Sequence, residues 1–294
     1  MADPYFGILG LGFAGFAVLD GVPLLMLPSN ATAQDNLLRS SGAVSNIIAR
    51  AIGETIARDR RSLNINITTP LTSATAALMG TTTFQWWSAG LNGRSHTLRI
   101  SPSTGDSFLT NEAFVQSVNL TVGENQLSTL SFSITAYRFE KIAGGSIPRQ
   151  QTIINPSTPY NQPLPYWACL ISSPAIGTPL GFTMALNNNY QFNQLLESTV
   201  RPPTPRMVSP GPFSCEINVT TLAPPGADPL ERGSIDIQLG TGGTVAQFTP
   251  PVTRIRIPYV YREPQFTYQG MGGPNDPIKL QVGYKALGDS PYFA

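Results

Sequence analysis

Ile65-Asn66-Ile67-Thr68-Thr69 and Ile217-Asn218-Val219-Thr220-Thr221 are nearly the same strand written twice, 152 residues apart. In each pentad apolar and polar residues alternate with a period of two, the spacing of a half-buried β-strand and not of a helix. β-Branched side chains dominate both, as a pleated and half-covered surface favours. Each pentad is followed by Pro and then by a Gly-ended segment.

Outward from this pair, further blocks match in the same order. Upstream, Gln34-Asp35-Asn36-Leu37-Leu38-Arg39-Ser40 is answered by Gln191-Phe192-Asn193-Gln194-Leu195-Leu196-Glu197-Ser198. Downstream, His96-Thr97-Leu98-Arg99-Ile100 and Ser234-Ile235-Asp236-Ile237-Gln238 each lead to a Thr-Gly turn, at Thr104-Gly105 and Thr241-Gly242. Both halves close with an alternating hairpin. In one, Phe114–Val122 runs through Gly123-Glu124-Asn125 to Leu130–Tyr137; in the other, Thr253–Tyr261 runs through a Gly- and Pro-rich loop to Ile278–Tyr284. Collinear matches of this kind are the signature of a tandem duplication. Ile142–Pro165, with Gly-Gly and five Pro, has the composition of a boundary. The expected organisation is a first domain at 1–141, a linker at 142–163 and a second domain at 164–294.

The expected fold is mainly β: two tandem antiparallel β-sandwich or barrel domains, the first flanked by one amphipathic helix. Alternation marks strands at Leu63–Thr69, His96–Ile100, Gln116–Val122, Leu130–Tyr137, Ser214–Thr220, Ile235–Leu239, Arg254–Val260 and Lys279–Tyr284. Val44, Ile47, Ile48, Ala51, Ile52 and Ile56 fall at helical spacing and predict a helix over 45–61. Arg58, Arg60 and Arg61 suit its negative C-terminal end. A shorter helix is expected from a Thr69 cap with Pro70 in its first position, running to Met79 before Gly80. The second half has no matching long helix, because Thr199–Pro212 contains five Pro.

Composition excludes more than it selects. The 294 residues are 41% hydrophobic, enough for a core, but only 12% charged, about half the usual ~25%, with a net charge of +1. Such scarcity of charge disfavours long solvated helices and suits surfaces covered by neighbouring subunits. The near-neutral balance excludes a strongly basic nucleic-acid or membrane binder. Phe6–Leu19 is apolar but lacks a basic leader, and Asp20, Pro23 and Pro28 interrupt or follow it. It reads as a segment that packs on another element or subunit, not as a signal or a membrane span. One histidine, His96, leaves little room for His-dependent catalysis or His-rich metal sites, and Cys169 and Cys215 stand far apart. No catalytic, cofactor or metal residue is expected.

Several motifs have plainer readings. Gly10-Leu11-Gly12-Phe13-Ala14-Gly15 matches a dinucleotide fingerprint literally, but lacks the strand before it and the helix after it. Gly105-Asp106-Ser107 and Gly288-Asp289-Ser290 are turn chemistry, since no histidine follows them. Trp86-Trp87 with Phe84 reads as a core or interface anchor before it reads as a sugar platform. Asn30, Asn66, Asn119 and Asn218 each open an Asn-x-Thr triplet, read here as strand Thr beside Asn. Arg254 and Arg256, two apart on one strand face, suit a carboxylate of a neighbouring subunit.

The strand-rich halves, the helix expected at 45–61, the extended polar segment Pro28–Ser41 and the closing hairpin 114–137 together resemble the tail tube proteins of long-tailed bacteriophages. That resemblance implies β-sandwich domains set six to a ring, closing a β-barrel around a lumen for duplex DNA. Two domains per chain then imply a trimeric, pseudo-sixfold ring. It also implies stacking through the apolar arm and the extended loop, with Phe6, Phe13, Phe16, Leu19, Leu37 and Leu38 as assembly contacts. The implied partners are copies of the chain itself and the tape-measure, tail terminator and baseplate proteins. Viral DNA would be met only in transit, past a polar or slightly acidic wall. No cofactor and no membrane insertion are implied, and the place is the virion tail, with assembly in the host cytoplasm. The alternatives are a baseplate or distal-tail connector ring and a two-domain carbohydrate-binding adhesin.

Overall fold

The structure is a computed structural model. It describes residues 16–25, 30–38, 57–79, 95–101, 107–123, 128–142, 166–171, 179–193, 207–209, 211, 213–222, 232–240, 253–270, 278–287 and 292–293.

In the first half the elements are β1 (Phe16–Leu19), β2 (Val22–Leu25), β3 (Asn30–Leu38), β4 (Ala57–Pro70), α1 (Ser73–Met79), β5 (His96–Ser101), β6 (Ser107–Val122), β7 (Thr129–Ala136) and β8 (Glu140–Ile142). In the second they are β9 (Tyr166–Ile171), β10 (Pro179–Asn187), β11 (Gln191–Asn193), β12 (Met207–Ser209), β13 (Ser214–Leu222), β14 (Arg232–Gly240), β15 (Thr253–Gln269), β16 (Lys279–Ala286) and β17 (Tyr292–Phe293). All but β11 and β12 belong to one 15-stranded antiparallel sheet whose main path runs β2-β1-β5-β6-β10-β13-β16-β15-β14-β9. The halves are therefore joined by hydrogen bonds between β6 and β10.

The alternation read in the sequence is what buries one side of this sheet. Leu63, Ile65 and Ile67 of β4 are fully buried, while Asn64, Asn66 and Thr68 face the other way. Leu130, Phe132 and Ile134 of β7, Ile217 and Val219 of β13, and Leu280 and Val282 of β16 continue the same apolar layer, and one core cluster spans both halves. The sheet curls back over this layer, so that β2 lies against β4, β9 against β10, and α1 against β2 and β15.

Counterpart strands pair in counterpart registers. On β4 and β7, Ile65 faces Ile134, Ile67 faces Phe132 and Thr69 faces Leu130. On β13 and β16, Ile217 faces Tyr284, Val219 faces Val282 and Thr221 faces Leu280. The irregularities recur as well. Pairing shifts on β6 after Val115 and on β15 after Arg262, opposite Ile134 and Tyr284. It shifts between His96 and Leu98 on β5, and between Gly233 and Ile235 on β14. β8 adds to Phe108 and Leu109 as β17 adds to Ile255 and Arg256. Leu19 of β1 faces Leu98 where Ile171 of β9 faces Ile235. Bulges are placed by local sequence and persist within a lineage, so matching bulges make the internal likeness a matter of backbone as well as side chain.

Three expectations change. Residues 57–61, expected to end a helix, are the start of β4, with Arg58 opposite Leu37 and Arg61 opposite Asp35. Pairing to β3 overrides the helical spacing upstream; the rest of the expected helix, 45–56, lies outside the described residues. The shorter helix begins at Ser73, because Thr69 and Pro70 remain in β4 opposite Leu130 and Thr129. Thr72 caps it: the Thr75 N–H donates to Thr72 Oγ1 (3.2 Å) and the Thr72 N–H to Thr75 Oγ1 (2.8 Å). The extended segment Pro28–Ser41 contains a paired strand, β3. Residues 16–25 form a hairpin whose tip, Asp20-Gly21, takes positive φ at both residues (47° and 81°), as a two-residue hairpin turn requires.

Candidate assembly surfaces

The side of the sheet away from the core is built from short uncharged side chains. Register sets Asn66, Ser133, Ser117, Asn187 and Ser214 in one row across five strands. The next row holds Thr68, Ser131, Asn119, Ala185, Glu216 and Lys285. A third holds Thr121, Thr183, Asn218 and Gly283. Many of these groups satisfy one another: Thr68 Oγ1 with Ser131 Oγ at 2.9 Å, Thr135 Oγ1 donating to Asn64 Oδ1 at 3.0 Å, and Asn187 Nδ2 to Ser214 Oγ at 3.2 Å. Charge on this face includes a compact trio, while Lys279 of β16 and the Asp236, Arg254 and Arg256 group of β14 and β15 stand farther along it. Lys285 Nζ sits 2.7 Å from Glu263 and 3.6 Å from Glu216, and the hydrogen bond to Glu263 together with both negative charges raises the ammonium pKa. Two carboxylates against one ammonium leave the trio net negative.

The second surface is the rim of the sheet. β6 is lined on one edge by β5 and then by β10, and on the other by β8 and β7. β15 is lined likewise by β14, β17 and β16, but nothing among the described residues pairs with it where β10 pairs with β6. There Phe266 and Tyr268 are 39% and 48% exposed. At the first half's end, β3 pairs only with β4 among the described residues. A sheet with unpaired N–H and C=O groups at its rim is a template for another strand.

Of the assembly contacts expected from the sequence, Phe6 and Phe13 lie outside the described residues. Phe16 lies in β1 opposite Leu25 and Ser101, and Leu37 and Leu38 lie in β3 opposite Arg58 and Ala57. Leu19 is fully buried in the chain's own core. The glycine run at 10–15 and Trp86-Trp87 lie outside the described residues. Arg254 does not wait for a partner subunit: its guanidinium grips the Asp236 carboxylate of β14, with Nε at 2.9 and 3.0 Å from the two oxygens, and Arg256 stands 3.9 Å away. The opposing positions of Asp236 and Arg256 on adjacent strands bring them together. His96 is buried, its Nδ1 2.6 Å from Asp20 Oδ2, and serves to dock the β1–β2 turn on β5. Cys215 lies in the core, and burial with the neighbouring Glu216 pushes its thiol up to about 12. Among the described residues no group of three or more His, Cys, Asp and Glu is placed to hold a metal, and no helix is long and apolar enough to cross a membrane.

The residues that sequence reasoning missed are at the join. Asn188 donates its N–H to Gln116 O (2.8 Å) and its Nδ2 to Val115 O (2.7 Å), closing the β6 bulge from the second half. Phe114, Tyr137, Tyr190 and Phe192 pack edge to face around it. No periodic signal marks a loop asparagine, so only the fold could find it. A family model described as phage tail tube protein matches residues 49–286, a span from the first half to the last residue of β16. No curated protein matches the chain.

Proposed function

The chain belongs to the phage tail tube protein family, and on that premise we propose that it assembles with copies of itself into stacked rings that form the conduit of a phage tail. The observation that carries this reading is the single sheet continuous through both halves with an open rim at each end. A sheet of that kind grows by adding the next copy and loses its open edges only by closing into a barrel. The repeated registers support a tandem duplication, with units at 1–141 and 164–294 and a linker between them. Three chains then supply six units per ring.

The Ser, Thr and Asn face is the wall of the lumen. Its middle rows are short and uncharged and its Glu216–Glu263–Lys285 trio is net negative, so it offers phosphates little cationic grip, and DNA passes as cargo. Phe6, Phe13, Phe16, Leu37 and Leu38 belong to the contact between rings. Leu19 contributes by anchoring β1 beneath that contact. The tape-measure protein occupies the lumen during assembly, terminator and baseplate proteins bind the ends, and the assembled place is the virion tail. The role is structural, with no catalytic step.

The test is negative-stain electron microscopy with sedimentation of the purified, concentrated and warmed chain. Hollow tubes, or discs of sixfold outline at trimer mass, are expected. A chain that stays monomeric under all such conditions would overturn the reading.

A further inference from the structure

The internal repeat makes one strand contact in the middle of the chain and leaves its counterpart unmade at the ends. Within the chain, β10 adds antiparallel to Ser117–Val122 of β6, with Thr183 opposite Thr121, Ala185 opposite Asn119 and Asn187 opposite Ser117. β3 is the counterpart of β10: Asn30 faces Asn66 of β4 as Thr183 faces Asn218 of β13, and the match holds through Gln34 and Asn187. The stretch Gln265–Gln269 of β15 is the counterpart of Ser117–Thr121, since Phe266 faces Val282 and Tyr268 faces Leu280 as Val118 faces Phe132 and Leu120 faces Leu130.

We propose that β3 of one copy adds to Gln265–Gln269 of β15 in a second copy, antiparallel, with Asn30 opposite Gln269, Thr32 opposite Thr267 and Gln34 opposite Gln265. The claim that copies associate rests on the tube reading above; the edge and its register rest on the repeat within this chain. Burial argues the same way. Val118 and Leu120 are fully buried beside β10, whereas Phe266 and Tyr268, at the same positions, are exposed. The contact uses different edges on the two copies, so it propagates head to tail, the arrangement from which a ring closes when the rotation per copy permits.

The test mixes full-length Thr32→Cys with full-length Thr267→Cys under conditions in which the unsubstituted chain forms rings. Oxidation or a short bis-maleimide is then applied, and linked peptides are identified by mass spectrometry. A covalent dimer joined at 32 and 267 is expected, and it should be lost when Thr267→Cys is replaced by Ile278→Cys, which lies off this edge. Rings that form normally yet give no 32–267 link overturn this contact and leave the tube reading intact. Failure of the unsubstituted chain to associate at all overturns both. As an independent arm, Phe266→Lys with Tyr268→Lys should keep the monomer's melting temperature and circular dichroism while abolishing rings. Rings unaffected by those two lysines also overturn the contact.

Discussion

Asn188 is a side chain that ties the second half to the β6 bulge of the first. Asn188→Ala removes the bond to Val115 O and leaves a buried carbonyl short of a donor, a loss of about 1–3 kcal/mol, to be read as a lower denaturation midpoint. Asn188→Asp should cost more, because a carboxylate oxygen replaces the donor against that carbonyl. Gly181 lies at the same join: a Cβ there would stand 2.8 Å from Val122 O, so Gly181→Val should force β10 away from β6 and destabilise by about 1–3 kcal/mol. Cys215 adds a pH dependence. Its thiol is raised from 9.0 to about 12 in the fold, so the folded chain keeps a proton that the unfolded chain releases. Stability from this group is fully present below pH 9 and declines as pH rises toward 12. Thiol titration of the native protein at pH 8 should leave Cys215 unlabelled until denaturant is added. Asn188 and Gly181 were not legible in the sequence, because they take their meaning from a strand contact between distant parts of the chain.

At the scale of elements, what the sequence made legible was whatever carries its own period. β7, with alternate residues buried along Thr129–Ala136, and β13, with the same pattern along Ser214–Leu222, were visible because one face is dry and the other wet. β3 and β10 were not, although Asn-Ala-Thr-Ala-Gln and Leu-Gly-Phe-Thr-Met alternate, because Ala and Gly leave little contrast between the two faces. The β1–β2 hairpin was obscured differently. Asp20-Gly21 is a strong turn signal, but it interrupts an apolar run and so reads as a break in a packing segment. Helical spacing before residue 57 carried the expected helix too far, into a strand fixed by its pairing with β3. α1 depends on its cap more than on its length of seven residues. Thr72→Ala should therefore cost about 0.5–2 kcal/mol, measured by chemical denaturation against the unsubstituted chain.

For the whole molecule, function was legible as architecture and not as a site. No motif named it; the strand-rich halves, the extended polar segment Pro28–Ser41 and the closing hairpin 114–137 carried the resemblance to tail tube proteins. The join through β6 and β10 has a direct check: proteolytic cutting between residues 142 and 166 should leave two fragments that still migrate together on gel filtration. The proposed lumen wall has another. The assembled protein should not retain duplex DNA on a filter at low salt, whereas Glu216→Lys with Glu263→Lys should retain it in a salt-dependent way. In the proposed ring of three chains, the covalent connection between the two units also changes how a tube begins. One seam in every two is formed when a chain folds, at a local concentration that dilution does not alter. Only the remaining seams feel the supply of new chains, so nucleating a six-unit ring becomes a meeting of three bodies instead of six. The threshold concentration for closing each ring is then set by the proposed β3–β15 seam, an interface on which the timing of tail construction can be tuned.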